Sequence, residues 1–279
     1  MIRIGPAGKP ISYKGDFIEV PKFLAENNMG VIEVEFVRGV WMDEMTAKVF
    51  DAQLKRYDIV STIHAPYYIN LLGAKETREK SRERIINCLE VGHHFHARNV
   101  VFHAGYYGEL SQSGAYDEIK KEIEILLEHS RKNDVPIAPE TTGKVKQFGS
   151  LEELIRLSKE FNIPFTLDFA HLHARNGGML KSEDDYRKVL DTIEKELGAK
   201  FIRSIHIHYS GIQYGKGGEL KHLPISSNEP DYNLLAIVLR DYDMSDATVI
   251  SESPLIEEDA YRFMEILENK GIKIWKARK

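Results

Sequence analysis

The sequence contains a single cysteine, no apolar run of membrane-spanning length and no excess of positive charge. Cys88 has no partner for an internal disulfide, so we expect a reducing, cytoplasmic environment and no membrane partner. The N-terminus lacks the charged and then apolar pattern of a signal peptide. The net charge of −5 argues against a nonspecific nucleic-acid binder. It leaves room for an enzyme whose positive charge comes partly from bound metal ions.

Short β-rich runs alternate with helical segments along all 279 residues, without a linker-like change of composition. This alternation predicts crossover units and a parallel sheet. Eight such repeats favour an α/β fold, a (β/α)8 TIM barrel that spans residues 1–279 as one domain. The alternative is an open doubly wound sheet, which would need a glycine-rich phosphate turn after the first strand. Ile4-Gly5-Pro6-Ala7-Gly8 is a poor version of that turn.

The pattern predicts eight strands and eight helices. The predicted strands are Ile2–Gly5, Val31–Val37, Ile59–His64, Val100–His103, Pro136–Glu140, Phe165–Asp168, Ile202–His208 and Thr248–Glu252. The predicted helices lie near Val20–Asn27, Asp43–Arg56, Lys75–Ala97, Ala115–Asn133, Ser150–Phe161, Ser182–Leu197, Asp231–Asp241 and Glu257–Asn269. Ser150 and Ser182 are predicted to cap two of these helices, because an acid follows each of them three residues later. The glycine-rich segment from Tyr209 to Pro230 has no helical period and is predicted to be a long functional loop.

Side chains that can bind metal ions stand at the carboxyl ends of six predicted strands. They are His64, His103, Glu140, Asp168 with His171, His206 with His208, and Glu252. In a parallel barrel these ends converge on one face, where the active site forms. Imidazole and carboxylate groups bind Zn²⁺, and one carboxylate can bridge two ions. The set is too large for one ordinary zinc, so we predict a cluster of two or three ions rather than structural hydrogen bonds at a barrel mouth.

Five motifs follow one another from the third predicted strand to the last. They are His64-Ala65-Pro66-Tyr67-Tyr68-Ile69-Asn70-Leu71, Val101-Phe102-His103-Ala104-Gly105, Glu140-Thr141-Thr142-Gly143, Asp168-Phe169-Ala170-His171 and Glu252-Ser253-Pro254. In this order, over most of the chain, they resemble the endonuclease IV family of apurinic/apyrimidinic endonucleases. More broadly, the chain looks like the xylose-isomerase-like barrel superfamily, which also contains sugar isomerases and epimerases.

This resemblance implies a trinuclear zinc site, with Mn²⁺ as an alternative metal. The implied ligands form three groups: His64, His103 and Glu140 for the first ion; Glu140, Asp168, His206 and Glu252 for the second; His171 and His222 for the third. By similarity, Tyr67 matches an aromatic residue that contacts DNA at the lesion. Arg38 loosely matches an arginine that enters the DNA helix there.

The chain departs from the family pattern at two places. The third ion of the family also uses an aspartate two residues before its histidine, but that position holds Leu220 here and the nearest acid is Glu219. Either Glu219 serves through a shifted loop, or the third metal is weakened or absent. The seventh strand of the family usually reads His-x-Asn-Asp, whereas His208 occupies the Asn position here. Strand alternation puts His206 and His208 on one face. The motif register selects His206 as the ligand and leaves His208 as its competitor.

The implied activity is metal-dependent hydrolysis of the DNA backbone at abasic sites, as in base excision repair. The expected partner is damaged double-stranded DNA, and we expect the protein to be a monomer. An abasic nucleotide has lost its stacking and is cheap to extrude. A rival function is that of a sugar isomerase or epimerase with one divalent ion, in which Glu140 and Glu252 would act as acid and base. A third alternative is a non-catalytic barrel that binds damaged nucleic acid or a sugar phosphate. It is disfavoured because polar groups without a chemical role are costly to bury.

Overall fold

Parallel strands close into a barrel in the computed structural model, which describes residues 1–277. The strands within that range are β1 (Arg3–Pro6), β2 (Val31–Glu35), β3 (Val60–His64), β4 (Val100–Phe102), β5 (Gly105–Tyr106), β6 (Ile137–Pro139), β7 (Gln147–Phe148), β8 (Thr166–Asp168), β9 (His206–Tyr209), β10 (Gly211–Gly215), β11 (Gly218–Leu223) and β12 (Thr248–Ser251). Strands β2, β3, β4 and β6 pair in parallel, as do β8, β9, β12 and β1. Parallel bridges from Ala7 to Glu33 and from Glu140 to Thr166 join the two halves. The predicted α/β barrel is therefore confirmed.

Helices alternate with the barrel strands. They are α1 (Val20–Glu26), α2 (Glu44–Tyr57), α3 (Lys75–His94), α4 (Gln112–Asn133), α5 (Leu151–Phe161), α6 (Phe169–Arg175), α7 (Glu183–Leu197), α8 (Ala199–Arg203), α9 (Tyr232–Leu239) and α10 (Glu257–Asn269). Buried apolar side chains from Ile2 to Trp275 form one large hydrophobic cluster. Across residues 1–277, no helix has the length and apolarity needed to cross a bilayer. The assignment of residues 1–279 to one domain stays a prediction.

Both predicted helix caps are confirmed. The Ser150 hydroxyl accepts from the backbone N–H of Glu153 at 3.3 Å, and the Glu153 carboxylate accepts from the Ser150 N–H at 2.9 Å. Ser182 and Asp185 make the same pair of bonds at 3.4 and 3.0 Å. These reciprocal bonds satisfy backbone donors that the first turn of a helix leaves free.

The predicted strand Ile202–His208 is wrong in its first half. Residues Ala199–Arg203 form α8, and β9 begins only at His206. Ile202 is buried on that short helix. A brief apolar run fits one face of a helix as well as it fits a strand, so periodicity could not separate the two structures.

The segment from Tyr209 to Pro230, predicted to be a loop, contains an antiparallel hairpin of β10 and β11. Ile212 of β10 is buried against Ala170 and Ala174 of α6. The hairpin is therefore packed onto the helix that directly follows β8.

Candidate metal centre

Three histidines near the carboxyl ends of the strands are oriented by backbone carbonyl groups. The Nδ1 atoms of His64, His171 and His222 lie 2.8, 3.0 and 3.1 Å from the carbonyl oxygens of Ala65, Thr141 and Glu252, respectively. A carbonyl oxygen can only accept, so each Nδ1 carries a proton, and Nε2 is the nitrogen that offers a lone pair once the ring is neutral. Metal-binding histidines are typically held in this way.

The carboxylate of Glu140, directly after β6, lies at the centre of the histidines. Its side chain is buried, with 1% of the residue exposed. Its Oε2 lies 3.3 Å from His64 Nε2 and 2.9 Å from His103 Nε2. Its Oε1 lies 3.2 Å from both His171 Nδ1 and His208 Nδ1. One carboxylate therefore touches imidazoles from four separate segments.

Asp168 is the last residue of β8. One of its carboxylate oxygens caps α6, and the other makes no hydrogen bond. Its Oδ1 accepts from the His171 N–H at 2.7 Å and caps α6, which is why the Asp-x-x-His spacing brings these two side chains together. Its Oδ2 is buried without a hydrogen-bond partner. Ligand atoms of Glu140, Asp168, His208 and Glu252 all lie within 4.8 Å of one another.

A third group joins α6 to the hairpin. The Nε2 atoms of His171 and His222 are 3.2 Å apart, and the Glu219 carboxylate oxygens lie 3.6 and 3.9 Å from them. The hairpin comes so close that a Cβ atom at Gly143 would lie 2.6 Å from the Glu219 Cβ, so only glycine fits there. The structure thus brings the nearest acid in the sequence to the two histidines.

A β-bulge explains why Glu219 lies on the same side of the hairpin as His222, three residues later. Gln213 pairs with Lys221 and Tyr214 pairs with Glu219, so Leu220 is the extra residue in β11. In a regular strand, residues three apart point to opposite faces. The bulge reverses that alternation once and lets Glu219 and His222 face the same side.

His206 lies deeper in the barrel than the motif register implied. Its Nε2 is 3.0 Å from Glu33 Oε2, and its Nδ1 is 2.7 Å from Thr248 Oγ1. The group with Glu140, Asp168 and Glu252 contains His208 instead. On this geometry His208, rather than His206, lies with these three carboxylates; which of the two histidines binds a metal stays a prediction.

Two acidic residues of the centre were missed by the sequence analysis. Glu33 and Glu35 of β2 have carboxylate oxygens within 4.8 Å of each other and of Glu252. They alternate with Ile32 and Val34 and so share the inner face of the barrel. Acids at alternate positions of an apolar strand were the available signal; the predicted strand Val31–Val37 ran past Glu35, so neither acid stood at its predicted end.

The two residues implied to contact DNA are exposed but lie in different surroundings. Tyr67, 63% exposed, lines a cavity of about 550 Å³ above the metal-binding groups, together with Tyr106 and Lys144. Arg38 is exposed after β2 and is not part of the cavity lining.

A sequence model of the family described as Xylose isomerase-like TIM barrel matches residues 21–270. The chain belongs to this family. An uncharacterized protein of Methanocaldococcus jannaschii is 41% identical over 95% of this chain and 96% of its own length. A probable endonuclease 4 of Aquifex aeolicus is 28% identical over 62% of this chain and 64% of its own length.

Solved structures of two functional classes have the same fold as this xylose isomerase-like barrel. Endonuclease IV of Thermus thermophilus has a TM-score of 0.72 and 19% identity, covering 96% of this chain and 98% of its own. A D-tagatose 3-epimerase-like protein has a TM-score of 0.72 and 20% identity, covering 96% of both chains. The fold alone therefore does not distinguish a nuclease from an epimerase; the distinction depends on the side chains of the site.

The electrostatics of this family member fit bound divalent cations. Burial opposes ionisation of Glu140, but the charges and hydrogen bonds of its histidine neighbours outweigh burial and hold its pKa well below the usual range. Burial also opposes protonation of His64, yet the Glu140 hydrogen bond and the charge of Glu35 raise its pKa to about 10. The Nε2 atoms of His171 and His222 lie 3.2 Å apart, close enough for one cation to contact both. Together with the unpartnered oxygen of Asp168, these features suit imidazole and carboxylate coordination of metal ions.

Metal binding to this protein is expected to release protons and to tighten as the pH rises. In the metal-free state, the raised pKa of His64, about 10, keeps its ring protonated near neutral pH. Burial opposes protonation of His208 as well, but the charges of Glu33, Glu252 and Glu140 raise its pKa well above the usual value. A metal ion must displace these protons from the two imidazoles. Competition by protons therefore weakens as the pH rises towards the pKa values that the two histidines have in the folded protein. Calorimetric titration of Zn²⁺ in buffers of different ionisation enthalpy measures the release. A heat independent of the buffer would contradict this expectation.

Proposed function

We propose that this family member is a metal-dependent phosphodiesterase that cleaves damaged double-stranded DNA at abasic sites, as in base excision repair. The observation that carries the proposal is the position of Glu140 between ligand groups. Its Oε2 faces His64 and His103, whereas its Oε1 faces His208. An enzyme with one ion needs only one such group. The relatives named probable endonuclease 4 support the same function.

The proposed centre holds two or three ions. The ligand groups are His64, His103 and Glu140; Glu140, Asp168, His208 and Glu252; and His171, Glu219 and His222. We propose Zn²⁺, with Mn²⁺ as the alternative, because the donors are imidazole nitrogens and carboxylate oxygens. When bound, such ions supply Lewis acidity towards a phosphodiester and lower the pKa of water.

Glu140 and Glu252 are the proposed catalytic carboxylates, since they hold the groups together. Glu140 fixes the spacing of the histidines that face its two oxygens. Glu252 contributes its side chain to the second group, and its backbone oxygen accepts from His222 Nδ1 in the third. A shift of either residue would therefore disturb two groups at once.

The mouth of the cavity suits a DNA strand with an extruded sugar. Tyr67 lies over the centre, with its ring centroid 5.7 Å from that of His64. Exposed aromatic rings can stack on bases next to the lesion. Lys144 in the lining can neutralise a phosphate, and Arg38 is proposed to contact the flanking DNA. We propose that the protein acts as a monomer.

Incision of a synthetic duplex with one abasic site tests the proposal. Protein purified without chelator is expected to contain two or more ions per chain and to cut the damaged strand. Chelation should stop the reaction, and added Zn²⁺ or Mn²⁺ should restore it. The undamaged duplex of the same sequence is the control. If protein that contains these ions leaves the abasic strand uncut, the proposed function fails.

A sugar epimerase with one ion is the second candidate. The observation in its favour is the group of Glu140, Asp168, His208 and Glu252, which alone could hold one ion. Glu140 and Glu252 would then act as acid and base at a carbon centre. One tightly bound ion per chain, with epimerisation of a ketose and no DNA incision, would favour this function over the first.

A further inference from the structure

His208 is oriented differently from the other histidines of the metal centre. The Nδ1 atoms of His64, His171 and His222 are turned to backbone carbonyl groups. In His208 it is Nδ1 that faces the centre, at 3.2 Å from both Glu140 Oε1 and Glu252 Oε1. Its Nε2 points into the barrel, where side chains rather than a backbone carbonyl meet it.

The groups that meet His208 Nε2 are a carboxylate and a second imidazole. Glu33 Oε1 lies 3.0 Å from this nitrogen, and His206 Nε2 lies 3.1 Å from it. Glu33 and His208 are both 0% exposed. We propose that Glu33 is the positioning residue of His208: it keeps a proton on Nε2 and so leaves Nδ1 free for a metal ion. This inference rests on the proposed metal centre.

The physical reason is that an ionised carboxylate can only accept hydrogen bonds. A neutral imidazole has one N–H, and the acceptor next to one nitrogen decides which nitrogen keeps the lone pair. Two carboxylates at 3.2 Å from His208 Nδ1 also attract a proton, so the histidine needs a competing acceptor on the opposite side. Glu33 Oε1, 3.0 Å from Nε2, is the carboxylate oxygen on that side, whereas the other three histidines have backbone carbonyls there.

Glu33 is itself held by neighbouring strands. Its Oε2 accepts from Thr62 Oγ1 at 2.8 Å and lies 3.0 Å from His206 Nε2. Thr62 is the direct neighbour of Glu33 in the β2–β3 ladder, so the register of the barrel fixes this contact. Oε1 has no hydrogen-bond partner; His208 Nε2 lies 3.0 Å from it, at the distance of an ion pair but off the direction of a hydrogen bond. One oxygen is thus anchored, and the other remains available to His208.

The same three side chains could in principle surround a cation of their own. The hydrogen bonds favour the positioning role, because Oε2 of Glu33 already has two partners. His206 Nδ1 is also occupied by Thr248 Oγ1 at 2.7 Å. The experiment below distinguishes the positioning role from a cation bound between Glu33, His206 and His208.

Glu33→Gln tests the inference with a side chain of the same size. The amide can donate its NH₂ to His208 Nε2, which would move the imidazole proton to Nδ1. We expect Co²⁺ titration to show one ion bound about 10–100-fold more weakly, as for other residues that orient metal ligands. In the Zn²⁺-loaded protein labelled with ¹⁵N-histidine, NMR should show one imidazole bound through Nδ1 in the wild type and its loss in the variant.

Glu122→Gln is the matched control, because Glu122 is also a buried glutamate, 5% exposed, but pairs with Arg82 on α3 at 3.2 Å. It should bind Co²⁺ as the wild type does. If Glu33→Gln does not fold, Thr62→Val removes only the donor to Oε2 and should weaken the same ion in the same direction by a smaller factor.

Unchanged Co²⁺ affinity and unchanged histidine signals in the folded variant would overturn the inference alone. Loss of an additional ion, with the His208 signals intact, would replace it with a cation site at Glu33. A wild-type protein that binds no metal would instead count against the proposed function.

Discussion

Glu140→Gln is expected to reduce incision of abasic DNA by at least ~10³-fold, which corresponds to about 4 kcal/mol of lost transition-state stabilisation. The amide has the same size but no negative charge for the four imidazoles that surround the carboxylate. Because Glu140 belongs to two ligand groups, the ions of both groups should be lost. Single-turnover incision and elemental analysis of the same preparation measure the two effects.

The control for Glu140→Gln is again Glu122→Gln, which neutralises a buried glutamate that is paired with Arg82. It should retain the metal content and the incision rate. Circular dichroism and thermal unfolding of both variants establish that the barrel is intact. A folded Glu140→Gln protein that keeps all its ions and its rate would remove Glu140 from the centre.

The sequence was sufficient to predict the barrel and most of the candidate ligands, for one topological reason. Parallel strands joined by helices all end at the same face, so polar residues at the strand ends must converge there. His64 and Asp168 end their strands, while His103, Glu140 and Glu252 follow directly after theirs. Each of these positions follows from local strand boundaries, without knowledge of how the strands pair.

The choice between His206 and His208 required the pairing itself. Alternation along β9 places both residues on the inner face but does not give their depth in the barrel. Depth is set by the register with β8, in which Thr166 lies beside His206 and Asp168 lies beside His208. The contact between Glu33 and His206 likewise forms only when the barrel closes, because the two residues lie on strands far apart in the sequence.

The bulge at Leu220 could not be predicted from β11 alone. A spacing of three residues between Glu219 and His222 argues against a common face in a regular strand. The bulge exists only relative to β10, where Gln213 and Tyr214 are consecutive but their partners are not. The bulge thus brings Glu219 to the side of His222 in spite of their three-residue spacing.

His222→Ala is expected to remove one ion and to slow incision by about 10²-fold, because a ligand from the third group is lost while the other two groups remain. The hairpin should stay in place without the metal, since Ile212 packs on α6 and its backbone N–H donates to the Glu229 carbonyl oxygen at 2.7 Å. Gln213→Ala, at an exposed position of the same hairpin, is the control and should keep the metal content and the rate.

The His222→Ala experiment also distinguishes the two candidate functions. An epimerase that uses only Glu140, Asp168, His208 and Glu252 would lose neither its single ion nor its turnover when His222 is replaced. Full incision activity in the His222→Ala protein, with one ion fewer, would show that the third group serves no step of the hydrolysis.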